Sequence, residues 1–117
     1  MRKKRELQRF AKWCFGYLGL PPIKIHYCPA KSLIDPNGGF CFGCYTWGEN
    51  TREIFLSYRL SKFANMGNLA HEIWHYKQER DGRINSMKDD ECEDEAEKAG
   101  LELLALWLIR GGKVTVK

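Results

Sequence analysis

The sequence predicts a single α+β domain, and three observations carry that reading. Apolar residues recur every three or four positions in residues 4–19, 61–80 and 89–110, the period of a one-faced helix. Between the first two segments, short aromatic and β-branched runs alternate with turn residues, the pattern of strands and a hairpin. Length bounds the rest: 117 residues, 44% hydrophobic and 13% aromatic, suffice for one core spanning 1–117 as a single domain.

In the first helix, expected over 4–19, Leu7, Phe10, Ala11, Cys14 and Leu18 face inward while Arg5, Arg9 and Lys12 lie outside. Gly19-Leu20-Pro21-Pro22 stops it. Residues 23–27 alternate apolar with polar, the strand period. Asp35-Pro36-Asn37-Gly38-Gly39 is turn material. Residues 40–47 read as a second strand and 52–57 as a third, joined through Gly48-Glu49-Asn50-Thr51 into a β-hairpin. The sheet is then small and three-stranded, antiparallel or mixed.

The second helix, over 61–80, contains no proline and turns Leu69, Ala70, Ile73 and Trp74 to one side. Asp81-Gly82 ends it. After a loop, the last helix runs over about 89–110 with Cys92, Ala96, Ala99, Leu103 and Trp107 in one stripe, until Gly111-Gly112. Residues 113–117 are a short strand or a frayed end. No repeat or low-complexity segment interrupts the pattern.

The net charge of +4 hides an asymmetry. Residues 1–31 hold eight Lys/Arg against one acid, Glu6, whereas residues 89–97 hold seven acids. Both patches are expected to be solvated or to face each other; contact with nucleic acid through Arg2, Lys3, Lys4 and Arg5 is the less favoured reading. No long apolar run follows the basic start, so neither a secretory leader nor a membrane anchor is expected, and the protein reads as soluble and cytoplasmic. Five cysteines, an odd number without a secretory signal, argue against a disulfide framework.

The chemistry concentrates in His71-Glu72-Ile73-Trp74-His75, an H-E-x-x-H in a helical segment. Two histidines four apart share a helix face and reach one zinc ion, and the glutamate between them stands where it takes a proton from bound water. A catalytic zinc needs a third protein ligand and one open position. His26 is the only other histidine and lies on a strand, so the acids of the last helix are better placed. Glu93 and Glu95 both lie roughly 80° from the centre of the apolar stripe, on opposite sides, so periodicity leaves both open. Glu91 and Glu97 lie farther round and are expected to face solvent.

A strand hairpin, an H-E-x-x-H helix and an acidic helix bearing E-x-x-A, here Glu93-Asp94-Glu95-Ala96, resemble the compact gluzincin metallopeptidases. The ImmA/IrrE-like and phage-type minimal forms are nearest, the SprT-like proteases more distant, and the likeness covers roughly residues 23–108. It implies a zincin-like fold and hydrolysis of peptide bonds by zinc-activated water, with Glu72 as general base. Its metal ligands would be His71, His75 and Glu93, the glutamate three residues before the alanine. The residue after that alanine is often Asp or Asn in these relatives and is Glu97 here, which keeps Glu95 as the alternative third ligand. The substrate implied is a protein or peptide lying along the hairpin edge. Tyr45, Tyr58 and Tyr76 are candidates to stabilise the oxyanion, with none singled out.

The rival reading is a non-catalytic module that zinc merely staples, but such a site has no use for a base beside its ligands. Cys41-Phe42-Gly43-Cys44 has metal-ligand spacing. Within one strand, however, residues three apart point to opposite faces, so both read as ordinary strand cysteines. Cys92 falls on the apolar stripe and reads as a core residue.

Overall fold

The computed structural model describes residues 2–35 and 37–111. Pro36 of the expected turn and the expected strand or frayed end at 113–117 lie outside the described residues.

Helix α1, Arg2–Leu18, begins two residues earlier than its periodicity implied. Lys3 Nζ donates to the carbonyls of Tyr58 and Leu60, 2.6 Å from each, and so ties its first turn to the body. The helix ends where Gly19 takes a left-handed conformation (φ +68°), which costs glycine nothing. The Gly19 and Leu20 amides then donate back to Gly16 and Phe15, a paired cap that seats Leu20 against the core.

Strand β1, Lys24–Cys28, follows. The segment expected as one strand over 40–47 is divided. Its first part, β3 (Phe40–Cys41), pairs antiparallel with β2 (Leu33–Ile34). Its second part, β4 (Gly43–Trp47), pairs antiparallel with β5 (Arg52–Ser57). At Phe42 the chain passes from one small sheet to the other. Asp35 shapes this excursion: its carboxylate accepts from the Asn37 and Gly39 amides and closes the β2–β3 turn. The larger sheet has the order β1-β5-β4 and is mixed, because β1 runs parallel to β5.

Helix α2, Lys62–Arg80, starts at Ser61, whose side chain accepts from the Ala64 amide. Gly82 (φ +75°) and the amides of Gly82 and Arg83 close its far end as Gly19 closes α1. Helix α3, Asp89–Leu106, carries Asp89, Asp90 and Glu91 in its first turn, where negative charge complements the helix dipole. Trp107–Gly111 continue it as a wider, π-helical turn. Among the described residues no helix is long and apolar enough to cross a membrane.

The core lies between α1, the inner face of β5 and α2. Leu7, Phe10, Cys14, Ile54, Leu56, Leu69, Ala70 and Ile73 have no exposed surface. Trp107 closes one end by packing its ring edge-on to Phe10, with centroids 5.6 Å apart. Helix α2 is enclosed by α1, β4, β5 and α3, so its buried residues run round the helix and include Asn65, Glu72, His75 and Gln78. Burial of polar side chains favours partners within the protein: Gln78 and His75 find each other, and Asn65 donates to the Ser57 carbonyl while its own Oδ1 has no partner.

Candidate metal centre

His71 and His75 stand one turn apart on α2 with their Nε2 atoms 3.1 Å from each other. Helix α3 brings Glu93 to the same point: Oε1 is 2.9 Å from His71 Nε2 and Oε2 is 3.0 Å from His75 Nε2. The ligand atoms of these three residues all lie within 4.8 Å of one another, and no other such group of three occurs among the described residues. Metal–ligand bonds of about 2.0–2.1 Å in a tetrahedron place neighbouring ligand atoms roughly 3.3 Å apart. Two imidazoles and one carboxylate at these separations therefore suit zinc in both spacing and donor type.

Glu72 is 8% exposed and sits under β4, where Gly43 passes directly over it. Burial pushes its carboxyl up to about 7, and the negative charge of Glu93 adds to the shift. His71 and a backbone hydrogen bond from Tyr45 oppose it. A cleft of about 520 Å³ opens above these groups, with Glu72, His75 and Glu93 on one side and Cys41, Gly43 and Cys44 on another.

The two acids that periodicity left open are separated by their partners. The Glu95 carboxylate is engaged away from the histidines: Oε1 accepts from Trp74 Nε1 (2.7 Å) and Gln78 Nε2 (3.1 Å), and Oε2 from Arg83 Nη2 (2.6 Å). The Arg83 hydrogen bond, reinforced by those of Trp74 and Gln78, holds its carboxyl down at about 2. Glu97 is exposed, as expected. Its side chain is mostly exposed, yet Oε2 bends back to 3.3 Å from His71 Nδ1. Four residues after Glu93, it shares the face turned toward α2.

His26 stays apart from the cluster. Its Nε2 pairs with Glu53 Oε1 at 2.7 Å, and its ring stacks on Phe55. The Tyr45 hydroxyl donates to Glu79 and that of Tyr76 to the Pro21 carbonyl, while Tyr58 lies beneath Lys3. Cys41 and Cys44 both reach the cleft because the chain breaks at Phe42 instead of continuing as one strand. Burial raises both thiols above their ordinary range, Cys44 to about 11. Cys92 is buried and donates to the Ile84 carbonyl.

The basic start is partly committed to the fold. Lys3 holds two carbonyls, and Lys4 lies 5.3 Å from the centre of the Tyr27 ring. Arg2, Lys3, Lys4 and Arg5 all belong to the first turn of α1 and form no separate arm.

The chain matches no known family model, no curated protein and no solved structure.

Four residues of the site were not singled out by sequence: Gln78, Glu97, Gly43 and Gly100. Gln78 Oε1 lies 2.8 Å from His75 Nδ1, and the residue has no exposed surface. Its signal was its position, three residues after His75 and so on the same face of the helix. The two glycines carried no local signal, because what they accommodate comes from elsewhere in the chain.

Proposed function

We propose that this protein is a zinc-dependent peptidase with a zincin-like fold, of the compact gluzincin kind, acting on protein or peptide substrates. The observation that carries the reading is the convergence of His71 Nε2, His75 Nε2 and the Glu93 carboxylate, with His75 and Glu93 lining an open cleft and Glu72 buried beside them. Bound there, zinc supplies a Lewis acid and lowers the pKa of its water. Glu72 takes the proton from the attacking water and returns it to the leaving amine. Its place beside the three ligand groups is what suits it to that role. Strand β4 borders the cleft and is the outer strand of its sheet, so an extended peptide can add along it through main-chain hydrogen bonds. A metal that only stapled the fold would have its fourth position closed by protein, whereas His75 and Glu93 of this group border the open cleft.

The test is elemental analysis of tag-free protein, wild type beside His71→Ala, joined to a hydrolysis assay of Glu72→Gln. About one zinc per chain, lost in His71→Ala, and retained zinc with hydrolysis lost in Glu72→Gln, is the expected result. Folded wild type without zinc overturns the proposal, as does Glu72→Gln with undiminished hydrolysis.

A further inference from the structure

His75 has a second polar contact, through Nδ1, that the proposed chemistry does not use. Gln78 Oε1 lies 2.8 Å from that nitrogen, and Gln78 Nε2 lies 3.1 Å from both the Cys92 carbonyl and Glu95 Oε1. A carbonyl and an ionised carboxylate only accept hydrogen bonds. The Gln78 amide must therefore turn its NH₂ toward Cys92 and Glu95 and its oxygen toward His75. Reversing it would set an oxygen against two oxygens in a place with no exposed surface, where no water can intervene.

The Gln78 oxygen can only accept, so His75 Nδ1 must carry the hydrogen. A neutral imidazole has one such hydrogen, which leaves Nε2 with its lone pair free. Nε2 is the atom that faces His71 and Glu93. Glu95 is fixed in turn by Trp74 and by Arg83, the residue that the glycine cap of α2 delivers to this spot. Arg83 and Trp74 thus hold Glu95, Glu95 holds Gln78, and Gln78 holds His75.

We infer that Gln78, anchored by Glu95, is a positioning residue that presets the His75 tautomer so that Nε2 is the metal-binding nitrogen. The inference deepens the zinc reading and rests on it for its purpose, though the tautomer itself can be measured without zinc. Outer partners of this kind are worth about 10- to 100-fold in metal affinity.

The experiment has two parts. Nitrogen-15 NMR of zinc-free wild type at about pH 9, above the ordinary histidine range, is expected to show His75 protonated at Nδ1. Competition with a zinc chelator is expected to show about 10- to 100-fold weaker binding in Gln78→Met, which keeps the length of the side chain and removes the acceptor. Thermal unfolding confirms that the variant is folded. Protonation of His75 at Nε2 in zinc-free wild type overturns the inference, as does folded Gln78→Met with unchanged zinc affinity. The wild-type spectrum requires no variant, so a misfolded Gln78→Met does not shield the idea. If wild type binds no zinc, the functional proposal fails while the spectrum still decides the tautomer.

Discussion

Gly100 on α3 lies against the backbone of His71 on α2: a methyl group built on its Cα would stand 3.0 Å from the His71 nitrogen and 3.3 Å from the His71 Cα. Both atoms are main chain in a buried helix and cannot swing aside. The missing side chain is what lets α3 come close enough for Glu93, two turns earlier, to reach the histidines. Gly100→Ala is expected to lower stability. Overpacking costs roughly 1–3 kcal/mol, against about 1 kcal/mol gained from alanine's helix preference. Zinc affinity should fall in parallel, because the separation of the helices sets the ligand geometry. A raised melting temperature with unchanged zinc binding would show the approach to be looser than these distances indicate.

Gly43 makes a comparable contact from the sheet side. A Cβ there would lie 3.0 Å from Glu72 Cγ and 3.3 Å from Oε2. Gly43→Ala should displace the proposed base while leaving His71, His75 and Glu93 in place. The expected outcome is near-normal zinc content with hydrolysis reduced about tenfold or more, since small misplacements of a reacting group are costly. Equal loss of zinc and hydrolysis would mean that the substitution disturbs the metal ligands as well.

Glu93 and Glu95 should separate cleanly when each is replaced by alanine. Glu93→Ala removes one mostly exposed carboxylate from the metal group, so the fold is retained and zinc is lost. Glu95→Ala strips an acceptor from Trp74, Gln78 and Arg83, of which Gln78 is fully buried, and an unpaired buried donor costs about 1–3 kcal/mol. Its melting temperature should drop well below that of Glu93→Ala. The reverse order in thermal unfolding would exchange the roles assigned to the two acids.

Away from the metal group, Glu79 supplies a pH dependence. Its carboxylate accepts from Arg52 and from the Tyr45 hydroxyl, and the Arg52 hydrogen bond leads in holding its pKa below the usual carboxylate range. A carboxyl depressed by folding contributes stability above its unfolded pKa and loses it as pH falls through the folded value. The difference in melting temperature between wild type and Glu79→Gln should be widest above about pH 5 and narrow below about pH 4. A gap that stays constant across that range would remove Glu79 as its source.

What could be read in advance follows from where each signal resides. Helix α2 was expected over 61–80 and spans Lys62–Arg80, because Ser61 and Gly82 mark its ends within a few residues of chain. The β4–β5 hairpin was legible for the same reason. The break at Phe42 was not, since nothing local distinguishes a residue continuing one strand from a residue passing between two sheets. The parallel pairing of β1 with β5 depends on the path of the intervening chain, and the sequence left antiparallel and mixed sheets open. At the site, His71, Glu72 and His75 could be grouped because helix geometry relates them directly. Which of Glu93 and Glu95 comes beside the histidines depends on what stands opposite α3, namely Trp74, Gln78 and Arg83 around Glu95.

That same parallel pairing orders the folding reaction. Strands β4 and β5 are joined by a short turn, and such a hairpin closes in about 1–10 μs. Lys24 of β1 meets Glu53, 29 residues later, so this pairing must first close a long loop and is intrinsically the slower. Until β1 arrives, one side of β5 has unpaired main-chain groups and is open to any other extended chain. The young protein is therefore most vulnerable to misassembly at its central strand, on the side away from the cleft wall, and β1 completes the sheet by covering that side.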